Sequence, residues 1–248
     1  MVSTSDETLR DYFAQLNLEG ERKVWARNRT KINYIYRRIK KLLNKGDYIC
    51  EVGVGEGYLL RLLRRQGFKV LGVDLSKYLV NELKNRFDYE GLDIELIHAD
   101  ISKVDLGKDS FNSFFCLDVL EHVPDIKAAI KTIKKSLING GLLIATLPFR
   151  ENLDENMAIC PHCKFKFHIM GHCHSFRSFQ EVKQLLGAEF KIIDWGEIPT
   201  VQSKTDAFAS VIRKIINIAI PLRKKFSTIY FVGRLVKHHR DSPMSIGS

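Results

Sequence analysis

Apolar runs typical of strands alternate with amphipathic helical patterns through the middle of this 248-residue chain. The predicted strands cover residues 48–54, 69–75, 94–101, 111–117 and 142–147. The helices predicted between them cover residues 58–66, 77–87 and 125–137. This alternation predicts a doubly wound α/β domain with a parallel sheet and helices on both faces. After a break, the capping pair Ser178 and Glu181 begins another helix, and two further strands are predicted at 190–198 and 228–236.

A glycine-rich turn follows the first predicted strand. Residues 50–57 have the sequence Cys-Glu-Val-Gly-Val-Gly-Glu-Gly and lead into a helix. Glycines let the backbone approach a ligand closely, and a helix N-terminus offers unpaired N–H groups. Asp74 ends the second strand, where a carboxylate in a doubly wound fold can accept hydrogen bonds from ribose hydroxyls. An NAD fingerprint needs its last glycine at Tyr58, so this spacing is not that of a dinucleotide site.

The E-x-G-x-G-x-G pattern resembles the first motif of class I S-adenosylmethionine-dependent methyltransferases. Four further motifs of that family follow in order, at residues 70–76, 98–101, 115–124 and 140–146. The resemblance is strong over 46–149 and topological over 177–237, and it implies a Rossmann-like sheet of seven strands, mostly parallel, with the last antiparallel. The residues that it assigns to the cofactor are Glu51, Gly53, Gly55, Gly57, Asp74, Leu75, Asp100, Ile101 and Asp118.

The sequence leaves the roles of individual site residues open. The resemblance gives Asp74 to the ribose and Asp100 to the adenine amino group, although any one of Asp74, Asp100 and Asp118 could instead cap a helix. His122 follows the fourth predicted strand, and a neutral imidazole there suits proton removal from an alcohol or phenol. Lining the cofactor pocket or capping the next helix is the alternative for His122. The N/D-P-P-Y/F motif of nucleobase amine methyltransferases does not occur here, which disfavours that substrate class.

Seven of the thirteen cysteine and histidine residues lie between residues 160 and 174. C-x2-C followed by H-x3-H is a zinc-ligand spacing, and it selects Cys160, Cys163, His168 and His172. Only four residues separate Cys163 from His168, so the pattern predicts a compact zinc knuckle in an insertion at 150–176. A subset of class I methyltransferases carries a similar insertion. Four protein ligands favour a structural ion, Cys173 and His174 leave the fourth ligand open, and single cysteines or histidines need no metal at all.

The formal net charge of +10 is concentrated in two flanks. Residues 21–45 hold ten basic and one acidic residue, and residues 213–240 hold eight basic and none acidic, whereas 46–212 are slightly acidic. The first flank belongs to a predicted helical cap, and the second includes part of an amphipathic helix near 206–220. Such flanks suit peripheral contact with an anionic membrane or an acidic acceptor, and RNA is the less favoured partner. A crossover helix with an apolar face and solvated lysines is the stronger explanation of the second flank.

These observations predict a helical cap over residues 1–45, a methyltransferase domain over 46–237 that contains the zinc insertion, and a flexible tail over 238–248. No signal sequence or membrane span is apparent, so a cytoplasmic protein is expected. The expected function is methyl transfer from S-adenosylmethionine to a small-molecule or lipid-linked acceptor, at oxygen. The alternatives are an RNA methyltransferase and a non-catalytic cofactor-binding regulatory or scaffold protein; no specific protein partner is indicated.

Overall fold

The computed structural model describes residues 22–159, 164, 166–168, 170–198 and 227–237. The helices in these ranges are α1 (Arg22–Ile39), α2 (Tyr58–Arg65), α3 (Lys77–Tyr89), α4 (Ile126–Ser136) and α5 (Phe179–Leu186). The strands are β1 (Tyr48–Val52), β2 (Lys69–Asp74), β3 (Glu95–His98), β4 (Phe111–Leu117), β5 (Leu137–Phe149), β6 (Met157–Ile159), β7 (Lys166–His168), β8 (Phe190–Ile198) and β9 (Ser227–Leu235). Short 3-10 turns cover Lys40–Leu42, Leu120–His122 and Leu153–Asn156.

Seven strands form one sheet in the order β3-β2-β1-β4-β5-β9-β8. The pairs among β1 to β5 are parallel, and β9 runs antiparallel to both β5 and β8. This topology confirms the predicted doubly wound sheet with an antiparallel last strand. The remaining strands, β6 and β7, pair as a separate antiparallel hairpin.

The central strands are covered on both faces, which explains why their sequences are almost continuously apolar. Ile49, Phe114 and Phe115 have no exposed surface. One core lies between the sheet and α2, α3 and the cap helix α1, which buries Ile35 and Ile39. The other core lies on the opposite face, beneath α4 and α5. The described part of the cap is therefore packed onto the domain.

Strand β5 begins earlier than the sequence pattern indicates. The helix before it ends at Ser136, and the strand runs from Leu137, not from Leu142. Its register on β4 shifts after Leu137, so that Ser113 pairs with Leu142. Gly140 lies inside this irregular stretch at a φ of 80°. Gly140 and the adjacent Gly141 therefore form a bulge within the strand, since glycine tolerates the backbone that a bulge requires.

Several predicted features lie outside the described residues. These are the first helix of the cap, the basic helix at 206–220, the tail at 238–248, and two of the four predicted zinc ligands, Cys160 and Cys163. Among the helices that the structure describes, none combines the length and hydropathy of a membrane span.

Candidate active site

The glycine-rich turn leaves the carboxyl end of β1 and enters α2 directly. Gly53, Gly55 and Gly57 all have positive φ, which an L side chain adopts only at a cost. A Cβ on Gly53 would lie 2.4 Å from Cγ2 of Val119, so this position must be glycine for steric reasons as well. A Cβ on Gly55 would meet nothing within 4 Å, so the turn faces open space there. The turn can therefore admit a ligand against its backbone.

Two acids of the predicted cofactor set, Asp74 and Glu51, lie next to the glycine-rich turn. Asp74, at the end of β2, accepts hydrogen bonds from the N–H groups of Val54 at 3.0 Å and Ser76 at 2.9 Å. Glu51 is buried in β1, and its Oε2 has no hydrogen-bond partner among the described residues. Burial raises the pKa of Glu51 well above its usual range. A protonated Glu51 can donate a hydrogen bond to a ligand, whereas Asp74 can only accept while it is ionised.

Asp100 and Ile101, which follow the third strand, and Leu75, which follows the second, lie at the same edge of the sheet. Asp100 accepts hydrogen bonds from the backbone N–H and the hydroxyl of Ser102, at 2.9 and 2.6 Å, and forms an ion pair with Lys103. Asp100 therefore caps a turn and not a helix, and its carboxylate has lone pairs left for a ligand. Leu75 is exposed beside the edge, whereas Ile101 is buried in the core. An exposed apolar residue at this edge is suited to contact with a ligand.

Asp118 links the end of β4 to the cap helix. It has a φ of 54°, accepts a hydrogen bond of 2.6 Å from the hydroxyl of Thr146, and forms an ion pair with Lys31 of α1. Arg29, also on α1, binds Glu56 of the glycine-rich turn through two hydrogen bonds of 2.7 Å. The sequence pattern identified Arg29 and Lys31 only as part of a basic flank. In the structure both pair with acids of the site itself, and so the cap closes over its edge.

The Glu121–His122 pair forms the 3-10 turn that follows Asp118. Nδ1 of His122 lies 3.2 Å from the carbonyl oxygen of Gly171, which can only accept, so a neutral ring carries its proton on Nδ1. Desolvation and the neighbouring His172 lower the pKa of His122 to about 4. His122 is therefore neutral at pH 7, with Nε2 as an available acceptor, although part of the residue remains exposed. Glu121 is buried, and its carbonyl oxygen accepts the N–H of Cys173 at 2.7 Å.

The predicted insertion returns to this edge beside His122. The N–H of Arg150 donates to the carbonyl oxygen of Phe176 at 2.8 Å, and the Ser175 hydroxyl donates to the carbonyl oxygen of Glu151 at 2.6 Å. Nε2 of His174 lies 2.9 Å from the carbonyl oxygen of Val123. These bonds attach the far end of the insertion to β5 and to the turn after β4. The described part of the insertion therefore forms a wall of the candidate site.

The two described zinc-ligand candidates lie together in the insertion. The rings of His168 and His172 are stacked, with centroids 5.0 Å apart. The carboxylate of Glu151 lies beside both rings, 2.5 Å from Nδ1 of His172 and 3.6 Å from Nε2 of His168. The sequence spacing did not indicate Glu151, because a single acid at the start of the insertion forms no recognisable motif. Of the two extra donors, His174 points to a backbone carbonyl and is not part of this cluster.

Part of the chain is similar to known methyltransferases. Residues 50–145 match the family model described as a methyltransferase domain. The ubiquinone biosynthesis O-methyltransferase of Coxiella burnetii is 33% identical over 116 residues, which cover 47% of this chain and 48% of that protein. The chain thus spans about half the length of this curated relative. Residues 50–145 are thus similar to a methyltransferase domain, in agreement with the five motifs.

Solved structures support the same fold. The 1,6-didemethyltoxoflavin-N1-methyltransferase of Burkholderia thailandensis, which contains bound S-adenosylhomocysteine, superimposes with a TM-score of 0.63 and 16% identity. That match covers 96% of this chain and 92% of the other. The cyclase SpnF gives a TM-score of 0.62 with 16% identity, over 84% of this chain and 81% of the other. Because a cyclase shares this fold, the reaction has to be argued from the residues of the site.

Proposed function

We propose that this chain transfers a methyl group from S-adenosylmethionine to an oxygen atom of a small-molecule or lipid-linked acceptor. The observation that carries the proposal is the convergence of the glycine-rich turn, Asp118 and a neutral His122 on one edge of the sheet. The name of the Coxiella relative, an O-methyltransferase, supports oxygen as the acceptor atom.

The residues present fit the cofactor. An open face at Gly55 leaves room for a ligand, and Glu51 retains a buried oxygen without a hydrogen-bond partner among the described residues. We assign the ribose hydroxyls to Asp74, the adenine amino group to Asp100, and the apolar contacts to Leu75 and Ile101. When bound, S-adenosylmethionine supplies a methyl group on a sulfonium, whose leaving thioether is uncharged.

The chain itself aligns the acceptor, excludes water and removes a proton. The cap helix excludes water by its ion pairs with the edge, through Lys31 to Asp118 and Arg29 to Glu56. Nε2 of His122 accepts the hydroxyl proton as the acceptor oxygen forms its bond to the methyl carbon. Nδ1 keeps its proton because it donates to the carbonyl of Gly171. Holding donor and acceptor in line provides most of the rate enhancement in this scheme.

We also propose that the insertion binds zinc. The observation in its favour is that Nε2 of His168 is buried, makes no hydrogen bond with the described residues, and points into the cluster with His172. These two histidines would hold the ion together with Cys160 and Cys163, which lie outside the described residues. The zinc would have a structural role, since it orders the wall that contacts His122.

The test is an acceptor search in cell extract. Purified protein and isotopically labelled S-adenosylmethionine are added, and metabolites and lipids that gain one labelled methyl group are identified by mass spectrometry. We expect an O-methylated product that is absent when S-adenosylhomocysteine is added in excess. Label found only in RNA would support the RNA alternative, whose binding should weaken steeply with salt. Tight cofactor binding without any labelled product would support the regulatory alternative.

A further inference from the structure

We propose that Glu151 is a metal ligand, and that with His168 and His172 it forms a two-histidine, one-carboxylate site for a divalent cation. Neither the spacing of the insertion nor the comparisons indicate this carboxylate. The inference rests on the proposed zinc binding but changes its ligand set, because Glu151 leaves room for at most one of the two predicted cysteines; it does not depend on methyl transfer. It places the ion beside the segment that leaves β5.

The ligand atoms are already gathered. One atom from each of Glu151, His168 and His172 lies within 4.8 Å of the others. The two carboxylate oxygens face different histidines, at 2.5 Å from Nδ1 of His172 and 3.6 Å from Nε2 of His168. The side chains of Glu151 and His168 are 1% and 4% exposed. Two imidazoles and one carboxylate are a common ligand set for zinc.

The geometry directs His168 into this cluster. The backbone N–H of His172 donates to Nδ1 of His168 at 3.2 Å, which leaves Nε2 to face Glu151. That Nε2 atom makes no hydrogen bond with any residue in the described part of the chain. A divalent cation between Nε2 and the carboxylate would bind both, and the imidazole N–H protons facing the carboxylate would be released as the ion enters.

The backbone holds Glu151 in place from both sides. Arg150, next to it, has a φ of 60° and donates its N–H to the carbonyl oxygen of Phe176. The carbonyl oxygen of Glu151 accepts the hydroxyl of Ser175 at 2.6 Å. The three proposed ligands therefore come from three segments, namely the end of β5, strand β7 and the returning segment of the insertion. An ion at this site joins the insertion directly to the central sheet.

Zinc prefers four ligands, so the three ligands named here leave one position for a further donor. The proposed site therefore contains three nitrogen or oxygen ligands and has room for at most one sulfur, whereas the ligand set predicted from spacing contains two nitrogens and two sulfurs. X-ray absorption fine structure of the zinc-loaded full-length chain separates the two, because Zn–S bonds are about 2.3 Å and Zn–N or Zn–O bonds about 2.0–2.2 Å. We expect at most one sulfur neighbour; two sulfurs in a four-coordinate shell would overturn the proposal.

A variant tests the same point in solution. In Glu151→Gln the amide oxygen can still accept the hydrogen bond from His172, but the charge that favours a metal is lost. We expect the zinc affinity of E151Q, measured by competition with a chromophoric chelator, to fall by more than about 100-fold, because loss of a residue that only hydrogen-bonds a metal ligand costs about 10–100-fold. The matched control is E155Q, in an exposed glutamate whose side chain accepts a hydrogen bond from Asn152, and it should bind zinc as the unmodified protein does.

Wild-type zinc affinity and stoichiometry in E151Q would refute a ligand role for Glu151. Binding of S-adenosylhomocysteine by E151Q checks the fold separately, because the glycine-rich turn contributes no atom to the cluster. If E151Q does not fold, the absorption measurement on the unmodified chain still decides the question. Absence of methyl transfer in every assay would count against the proposed function alone, since metal stoichiometry and coordination are measured without it.

Discussion

Lys31 of the cap helix forms an ion pair with Asp118, the first residue after the central strand β4. The lysine is mostly buried, and Asp118 also accepts a hydrogen bond from Thr146 on the neighbouring strand. Asp118 thus lies between the cap and the sheet, in a left-handed backbone conformation that only few residue types tolerate. The contact connects the cap helix to the segment that leads into the 3-10 turn containing His122.

Removing this contact should weaken cofactor binding. A partly buried ion pair contributes about 1 kcal/mol, so we expect Lys31→Met to weaken S-adenosylhomocysteine affinity by about 5-fold in isothermal titration calorimetry. Methionine keeps most of the apolar stem, so lost charge is the main change. Lys41→Met, at an exposed position in the 3-10 turn after the cap helix, is the control. Equal affinity in K31M and K41M would show that the cap does not need this ion pair.

Gly53→Ala should be more harmful than Gly46→Ala. Both glycines have a positive φ, of 73° and 89°, so both substitutions carry a similar backbone cost of about 1 kcal/mol. Only at Gly53 would the new methyl group overlap with Val119, at 2.4 Å from its Cγ2, whereas Gly46 has no heavy atom within 4 Å of this position. We expect urea unfolding to show an additional loss of about 1–3 kcal/mol in G53A. Equal losses in the two variants would mean that Val119 moves aside freely.

Glu51 should make the stability of the cofactor-free protein depend on pH. Burial raises the pKa of Glu51 above its ordinary value of 4.5, so the folded state holds a proton that the unfolded state has already lost. The free energy of unfolding therefore falls as the pH rises above about 4.5, until the folded-state pKa is passed. In Glu51→Gln this contribution is absent.

Urea unfolding between pH 5 and pH 8 measures this effect, as the difference in pH slope between the unmodified protein and E51Q. Glu155→Gln, at an exposed position, should retain the original slope. The same slope in all three proteins would contradict a protonated Glu51 in the folded state. Other buried groups also titrate. Their contributions cancel when the pH slope of E51Q is subtracted from that of the unmodified protein.

The sheet could be predicted from the sequence because strands buried on both faces require apolar runs, and helices that cover them require an amphipathic period. The contacts of Lys31 and Arg29 could not be predicted in this way. A basic residue on a helix has the same local pattern whether it meets solvent or an acid distant in the chain. The same holds for Glu151, whose relation to His172 depends on how the insertion folds back. The spacing of cysteines and histidines identifies ligands within one short segment. Glu151 lies well before that segment in the sequence, just after the end of β5.

His122→Gln should separate proton removal from cofactor binding. Glutamine is similar in size and can hydrogen-bond, but it cannot take up a proton at neutral pH. If His122 is the base, kcat with a hydroxyl acceptor should fall by about 100-fold or more, the usual contribution of a general base. The affinity for S-adenosylhomocysteine should stay within about 2-fold, because the residues assigned to the cofactor are unchanged. Asn139→Gln, far from the edge and hydrogen-bonded to the backbone of Lys237, serves as a control for the assay. An H122Q enzyme with unchanged kcat but weakened cofactor binding would instead assign His122 to the lining of the cofactor pocket.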